Sequence, residues 1–238
     1  IDVGNLGNNH SGDFGKEALV DGRDQLLAAG IGPVGAGRNA DDIGNQAGGW
    51  TLSWQGASGQ HRIPGNTILD GIRRWVEIET PTEAPDQVNK LADLVTTEYR
   101  DLPATVERIA GHSGCGDHLV MRSSWGQDAP GILVLSHLDT VHPMGFIERL
   151  PFRIDGDSAF GPGIYDMKGG AYLAYHAFGR ICADGATTPL GITQLYVSDE
   201  EIGSPTSRAL IESEGRKAKY VLVTEPARDG GKIVTGRK

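Results

Sequence analysis

Two cysteines in 238 residues, Cys115 and Cys182, leave no basis for a disulfide framework or a cysteine-built zinc site. Long apolar runs are missing too: none approaches the roughly 20 residues of a membrane-spanning helix. Basic charge is scarce. Lysine and arginine number 22 against 31 aspartates and glutamates, and a net charge of −9 argues against a general affinity for nucleic acid or an anionic membrane. The first forty residues show no basic stretch followed by an apolar core, so no leader is expected and a cytoplasmic setting is. Glycine, by contrast, is plentiful at 35 residues, many of them within the first 65 positions, so the chain is uneven from end to end.

Residues 1 to about 38 read as loop, with Asn5, Asn8 and Asn9 among glycines and a short helix over Lys16 to Ala29 weakened by Gly22. The stretch Ala36 to Gly44 has neither Gly-x-Gly-x-x-Gly nor a following Lys-Ser/Thr, which excludes a nucleotide loop. From Ile68 the pattern changes. Ile68, Leu69, Ile72, Trp75, Val76 and Ile78 have helical spacing, with Thr67 as N-cap, and Val88, Leu91, Leu94 and Val95 mark a second helix over Asp86 to Tyr99. Strands are expected at 104–109, 118–122, 192–197 and 220–223. Another, the apolar run Ile132 to Leu135, leads into Ser136 and His137. A loop to about Gly163, a helix over 167–182 and a helix through Leu210 and Ile211, capped by Ser204 or Thr206, complete the reading. Strands alternating with helices predict an α/β fold, a mostly parallel sheet covered by helices on both faces, behind an irregular glycine-rich segment.

Acid and imidazole groups collect where these strands end. His137 and Asp139, two apart, point to one side of the chain where the strand after Ile132 to Leu135 would run out, at the edge where open α/β sheets build their sites. Glu200 and Glu201 follow the 192–197 strand, Glu225 follows the 220–223 strand, and Asp166 sits in a glycine-flanked turn. Taken singly, His137 reads as a core histidine, Asp166 as a capping residue and Glu200/Glu201 as a solvated pair. Taken together, clustered carboxylates with one histidine are costly unless a cation neutralises them. Mixed nitrogen and oxygen donors suit zinc, cobalt or manganese better than calcium. His142 and His176 read as packing residues, and His112, Cys115 and His118 fit no zinc spacing.

Four motifs carry a family resemblance: Ser136-His137-Leu138-Asp139-Thr140-Val141, Gly161-Pro162-Gly163-Ile164-Tyr165-Asp166-Met167-Lys168-Gly169, Ser198-Asp199-Glu200-Glu201-Ile202-Gly203-Ser204 and Val223-Thr224-Glu225-Pro226. In this order, residues 68–238 resemble the catalytic domain of zinc metallopeptidase family 20, the aminoacylase and carboxypeptidase G type group. The resemblance implies up to two divalent ions, most readily zinc, with His137, Asp166, Glu201 and Glu225 as ligands and Asp166 as the bridge. It implies Glu200 as general base and Asp139 as the residue that orients His137. The implied reaction is hydrolysis of a C-terminal or N-acyl amide in a small peptide or N-acyl amino acid. Members of the group are longer, so a lid domain and a last histidine ligand are expected to be missing. An exposed sheet edge that pairs with a second copy, and weak or absent turnover in a silent metal-binding fragment, are expected in turn.

Residues 36–72 resemble something else. Gly48-Gly49-Trp50-Thr51-Leu52-Ser53-Trp54-Gln55-Gly56, followed by Pro64-Gly65-Asn66-Thr67-Ile68-Leu69-Asp70-Gly71-Ile72, is similar to the second domain of family 3 β-glucosidases. That likeness implies Trp50 and Trp54 as sugar-stacking residues; the plain alternative is two apolar anchors. The expectation is therefore a chimera, 1–67 from a glycosidase remnant and 68–238 from a truncated peptidase, joined near 63–74.

Overall fold

The computed structural model describes residues 67–226 apart from 156, 157 and 184, and in residues 1–66 only the backbone of the elements given below. The chain divides into two compact units, one of residues 1–70 with 225–238 and one of residues 71–224. Among the described residues no helix is long and apolar enough to cross a membrane.

In the first unit β1 (Val3–Asn5) pairs in parallel with β2 (Gly32–Val34). Strands β3 (Asn45–Gln46), β4 (Gly49–Gly56) and β5 (Gly59–Pro64) form an antiparallel sheet, in which Trp54 lies opposite His61. Trp50 and Trp54 thus both fall on β4, and their side chains lie outside the described residues, as does the helix expected over Lys16 to Ala29.

The second unit is built on β6 (Ala104–Ile109), β7 (His118–Ser123), β8 (Gly131–His137), β11 (Ile192–Val197) and β12 (Ala218–Val223). Their spatial order is β12-β8-β11-β7-β6. β8 runs parallel to both neighbours, while β7 is antiparallel to β11 and to β6. Four strands therefore point one way and β7 the other, so the sheet is mixed at one end and parallel around β8. Helix α1 (Gly65–Val76) enters this unit and is followed by α2 (Pro85–Tyr99). The chain between β8 and β11 holds the one-turn α3 (Phe146–Arg149), a small hairpin of β9 (Arg153–Asp155) and β10 (Ser158–Phe160), and α4 (Gly169–Ala183). Helix α5 (Arg208–Lys217) precedes β12.

Alternation along the strands sorts side chains onto two faces. On one, Val120, Leu133, Leu195 and Val197 form a buried cluster against Leu210 and Ile211 of α5. The opposite face is aromatic. Tyr196 meets Trp75 of α1 and Tyr99 of α2, and Tyr99 stacks on Phe178 of α4. A buried Gln194 is satisfied there: it accepts from Tyr196 at 2.8 Å and from Tyr99, and its amide donates to the Ala174 carbonyl at 2.8 Å. Covered by helices on both faces, the sheet still exposes one edge strand: Tyr220, Val221, Leu222 and Val223 of β12 are each close to half exposed.

Some local expectations change. Helix α1 begins at Gly65, so Thr67 lies inside it and is not its cap. The loop before Gly163 contains α3 and the β9–β10 hairpin. The helix expected from Met167 starts at Gly169, because Asp166 (φ −122°, ψ 103°) and Met167 (φ −130°, ψ 28°) leave helical geometry. Ser204 and Thr206 do not cap α5. Ser204 takes a left-handed backbone, and the amides of Thr206 and Ser207 are held instead by the Asp199 carboxylate at 2.6 and 3.0 Å.

Candidate metal centre

The parallel register sets His137, the last residue of β8, beside Val197, the last residue of β11. The two loops that leave these strands therefore start side by side at one sheet edge. The β8 loop is tied down at once: the Thr140 amide donates to the Thr80 carbonyl at 2.8 Å, and the Thr80 hydroxyl donates to the Leu138 carbonyl at 2.6 Å. The β11 loop is tied to the first through Asp139. The wholly buried Asp139 carboxylate accepts the Thr82 hydroxyl at 2.8 Å and the amides of Glu200 and Glu201 at 3.3 and 3.2 Å. One acid thus holds two successive amides of the turn that carries two others.

His137 is 1% exposed. Its Nδ1 lies 2.9 Å from the main-chain carbonyl of Asp139 and 3.4 Å from that residue's Oδ1, so the backbone oxygen is nearer than the carboxylate. A carbonyl only accepts, so the proton of a neutral ring sits on Nδ1. Nε2 then turns its lone pair towards Asp166 Oδ1 at 3.1 Å and Glu200 Oε2 at 3.8 Å. A lone pair facing carboxylates needs a cation between them, a proton or a metal ion. Ligand atoms of His137, Asp166 and Glu201 lie within 4.8 Å of one another, one nitrogen and two oxygens from three different loops. This donor set, without sulfur, fits a borderline ion such as zinc.

The electrostatics agree. Burial pushes the Glu201 carboxyl up to about 7; Asp166, Asp139 and Glu200 add to this and His137 opposes it. Asp166 is carried by the irregular turn 164–168, which Gly163 starts in a left-handed conformation (φ +65°). Next to it Met167 is buried, with its sulfur 3.2 Å from the His137 amide. Lys168 is buried as well. Its ammonium donates to the Ile78 carbonyl at 2.6 Å, and burial lowers its pKa to about 7. Glu225 stands one residue beyond Thr224, in the segment grouped with the first unit. The Thr224 amide donates to the Leu135 carbonyl at 3.1 Å, which pins the chain just before Glu225 to β8. Within the second unit the residues brought together are thus His137, Asp139, Asp166, Glu200 and Glu201.

Comparison with known proteins gives this geometry a setting. Residues 133–237 match Peptidase family M20/M25/M40. Residues 1–129, more than half of the chain, match the family Bacterial capsule synthesis protein PGA_cap. The chain belongs to the second of these families by that match, and its residues 133–237 are similar to the first. Carboxypeptidase G2 of Pseudomonas sp. (strain RS-16) is 35% identical over 164 residues, 68% of this chain and 39% of that protein. That alignment is too long to fit after residue 132, so the M20 likeness reaches back over β6 and β7 and overlaps the PGA_cap match. Human carnosine dipeptidase 1 shares the fold of the M20 unit with a TM-score of 0.58 at 16% identity, over 66% of this chain and 38% of that one. The M20 metallo-carboxypeptidase Sso-CP2 of Sulfolobus solfataricus gives 0.54 at 19% identity, over 66% and 37%. The chain spans about two fifths of the length of these relatives. The stretch 36–72, likened above to family 3 β-glucosidases, lies wholly inside the PGA_cap match. A short motif rich in glycine and tryptophan carried that likeness, and a match over a much longer stretch replaces it.

Several residues that shape the M20 site escaped the sequence. Thr80 and Thr82 read only as a helix stop, although their hydroxyls secure Leu138 and Asp139. Asp199 read as one acid among three; it is wholly buried and holds Thr206 and Ser207. The Thr-Pro-Thr triplet before a helix was the available signal, and composition alone does not separate a buried hydroxyl from a solvated one. His142, expected as a neighbour, stacks on Phe146 with ring centres 4.7 Å apart.

Proposed function

We propose that the M20 unit is a metal-dependent amide hydrolase domain that takes zinc and acts on small peptides or N-acyl amino acids. The observation that carries this is the buried His137 ring, with Nδ1 2.9 Å from the Asp139 carbonyl and Nε2 3.1 Å from Asp166 Oδ1 and 3.8 Å from Glu200 Oε2. His137, Asp166 and Glu201 would hold an ion, and the Val223-Thr224-Glu225-Pro226 motif supports Glu225, two residues past β12, as a further ligand. The ion supplies a Lewis acid that polarises the amide carbonyl and acidifies a water. Asp139 keeps His137 in the tautomer that can bind. Glu200, with its amide anchored on Asp139, takes a proton from the attacking water on its carboxylate. It then returns that proton to the amide nitrogen as the carbon–nitrogen bond breaks. Burial of His137 and Asp139 keeps bulk water from competing for their hydrogen bonds.

The relatives' names, carboxypeptidase and dipeptidase, support a peptide substrate. The division of the chain at Asp70 and the reach of the carboxypeptidase alignment support a join near residue 71 between the PGA_cap segment and the M20 unit. The half-exposed β12 supports self-association through that strand. Metal content per chain, measured together with hydrolysis of N-acyl amino acids and dipeptides, tests the proposal. Zinc bound at one or two ions per chain with turnover sustains it; binding without turnover reduces it to a metal-binding domain; no binding, or binding unchanged in His137→Ala, refutes it.

A further inference from the structure

We infer that His118 is a positioning residue, a clamp that holds the turn bearing Glu200 and Glu201 from the neighbouring strand β7. Its functional consequence rests on the metal-centre reading above; the clamp itself does not. His118 opens β7 and is 2% exposed. Both of its ring nitrogens are engaged by the segment 198–207. Nδ1 lies 3.3 Å from the Ser198 amide and 3.1 Å from the Ser198 hydroxyl, and Nε2 lies 3.1 Å from the Thr206 hydroxyl.

The proton positions follow from the partners. Asp199 is wholly buried and accepts four hydrogen bonds from Thr206 and Ser207. A carboxylate that receives four donors acts as a pure acceptor. The single Thr206 hydroxyl proton goes to Asp199 at 2.7 Å. Thr206 must then accept from His118 Nε2–H, which leaves Nδ1 bare to accept the Ser198 amide. The Ser198 hydroxyl proton is used on the Gly116 carbonyl at 2.5 Å. The neutral Nε2–H ring satisfies every group, and burial, which lowers the His118 pKa, favours that neutral form against the pull of Asp199. The result is one continuous chain, Ser198 amide to His118 to Thr206 to Asp199.

Such a chain is needed because Asp139 alone leaves the turn under-determined. Its two bonds, to the Glu200 and Glu201 amides at 3.3 and 3.2 Å, are long and nearly share an origin, so the turn could pivot about them. The turn also closes through two left-handed residues, Gly203 (φ +89°) and Ser204 (φ +57°), and the second is disfavoured without external support. His118 grips the segment at Ser198 and Thr206, on either side of the two glutamates. It therefore sets where Glu201 presents its oxygens to the ion and Glu200 to the water.

Amide hydrogen exchange and zinc calorimetry on the full chain test this. In His118→Phe, which keeps the ring volume but not the nitrogens, exchange at Glu200 and Glu201 is expected to speed by about tenfold or more while β8 amides are unchanged. Zinc affinity is expected to fall about tenfold, the low end for an outer-sphere partner of a metal ligand. That loss should vanish in a Glu201→Gln background, which a general loss of stability would not produce, and His118→Gln, which restores a donor to Thr206, should recover most of it. Thr206→Val breaks the same chain without touching β7 and should reproduce the exchange result if His118→Phe fails to fold. Unchanged exchange in both variants, or a zinc loss of equal size with and without Glu201, overturns the clamp. A parent chain that binds no zinc overturns the metal-centre reading, and the exchange comparison then decides the clamp by itself.

Discussion

The two ring nitrogens of His137 face different partners: Nδ1 meets the Asp139 carbonyl and Nε2 the Asp166 carboxylate, the side on which an ion is proposed. Truncation by His137→Ala should therefore cost zinc affinity by about a hundredfold or more, read by calorimetry, with little loss of helix or sheet signal. Glu200→Gln should keep zinc and lose turnover, by about 10²- to 10⁴-fold, the usual worth of a positioned acid or base. Glu201 predicts a pH effect in the metal-free protein. With its carboxyl raised by burial from 4.5 to about 7, the folded chain keeps a proton there that the unfolded chain has already released. Stability from this group is thus complete below pH 4.5 and is lost as pH climbs through 7. Melting temperature without metal should fall between about pH 5 and 8 by more in the parent than in Glu201→Gln, and a parallel pair of profiles would contradict the assignment.

At the scale of elements, the strands that build the site were readable because they are apolar runs ending abruptly in polar residues. Ile132 to Leu135 precede His137 and Leu195 to Val197 precede Ser198, but burial runs on past both: Ser136, His137, Asp139, Ser198 and Asp199 are buried as well. Leu195 is fully buried in the α5-facing cluster, and Leu195→Ala should lower stability by about 2–5 kcal/mol in denaturant titration. What sequence did not show was the extent of the turn 164–168, whose last two residues, Met167 and Lys168, it placed in the following helix. Its non-helical geometry comes from tertiary contact, with Met167 and Lys168 turned inward at the expense of helical geometry, and no local periodicity records that. Gly163 is the residue that permits it. A methyl group there would sit 2.4 Å from Thr140 Cγ2 on a left-handed backbone. Gly163→Ala should cost about 1–2 kcal/mol from the backbone alone. It should also weaken zinc binding, because the displaced turn carries Asp166. The metal ligands were legible one by one from their motifs; the grouping of His137 with Glu201, and the service of Thr82, Asp199 and His118, depended on which loops the sheet order sets side by side.

At the scale of the molecule, two segments of one chain, residues 1–129 and 133–237, match different families. Among the described residues the sheet of the M20 unit ends on β12, whose Val221 and Leu222 are each 49% exposed. Edge strands of this kind invite pairing. Sedimentation should show concentration-dependent dimers, and Val221→Lys should shift them to monomer; a monomer at every concentration would remove β12 as an interface. The sheet order has one more consequence, felt during synthesis. Both neighbours of β8 are made after it, beginning at Ile192 and Ala218. At about 5–20 residues per second, the Ile-Leu-Val-Leu run leaves the ribosome several seconds before either partner exists. During that interval its greasy surface is open to chaperones and to neighbouring nascent chains, so the yield of soluble protein should depend on translation rate as much as on final stability.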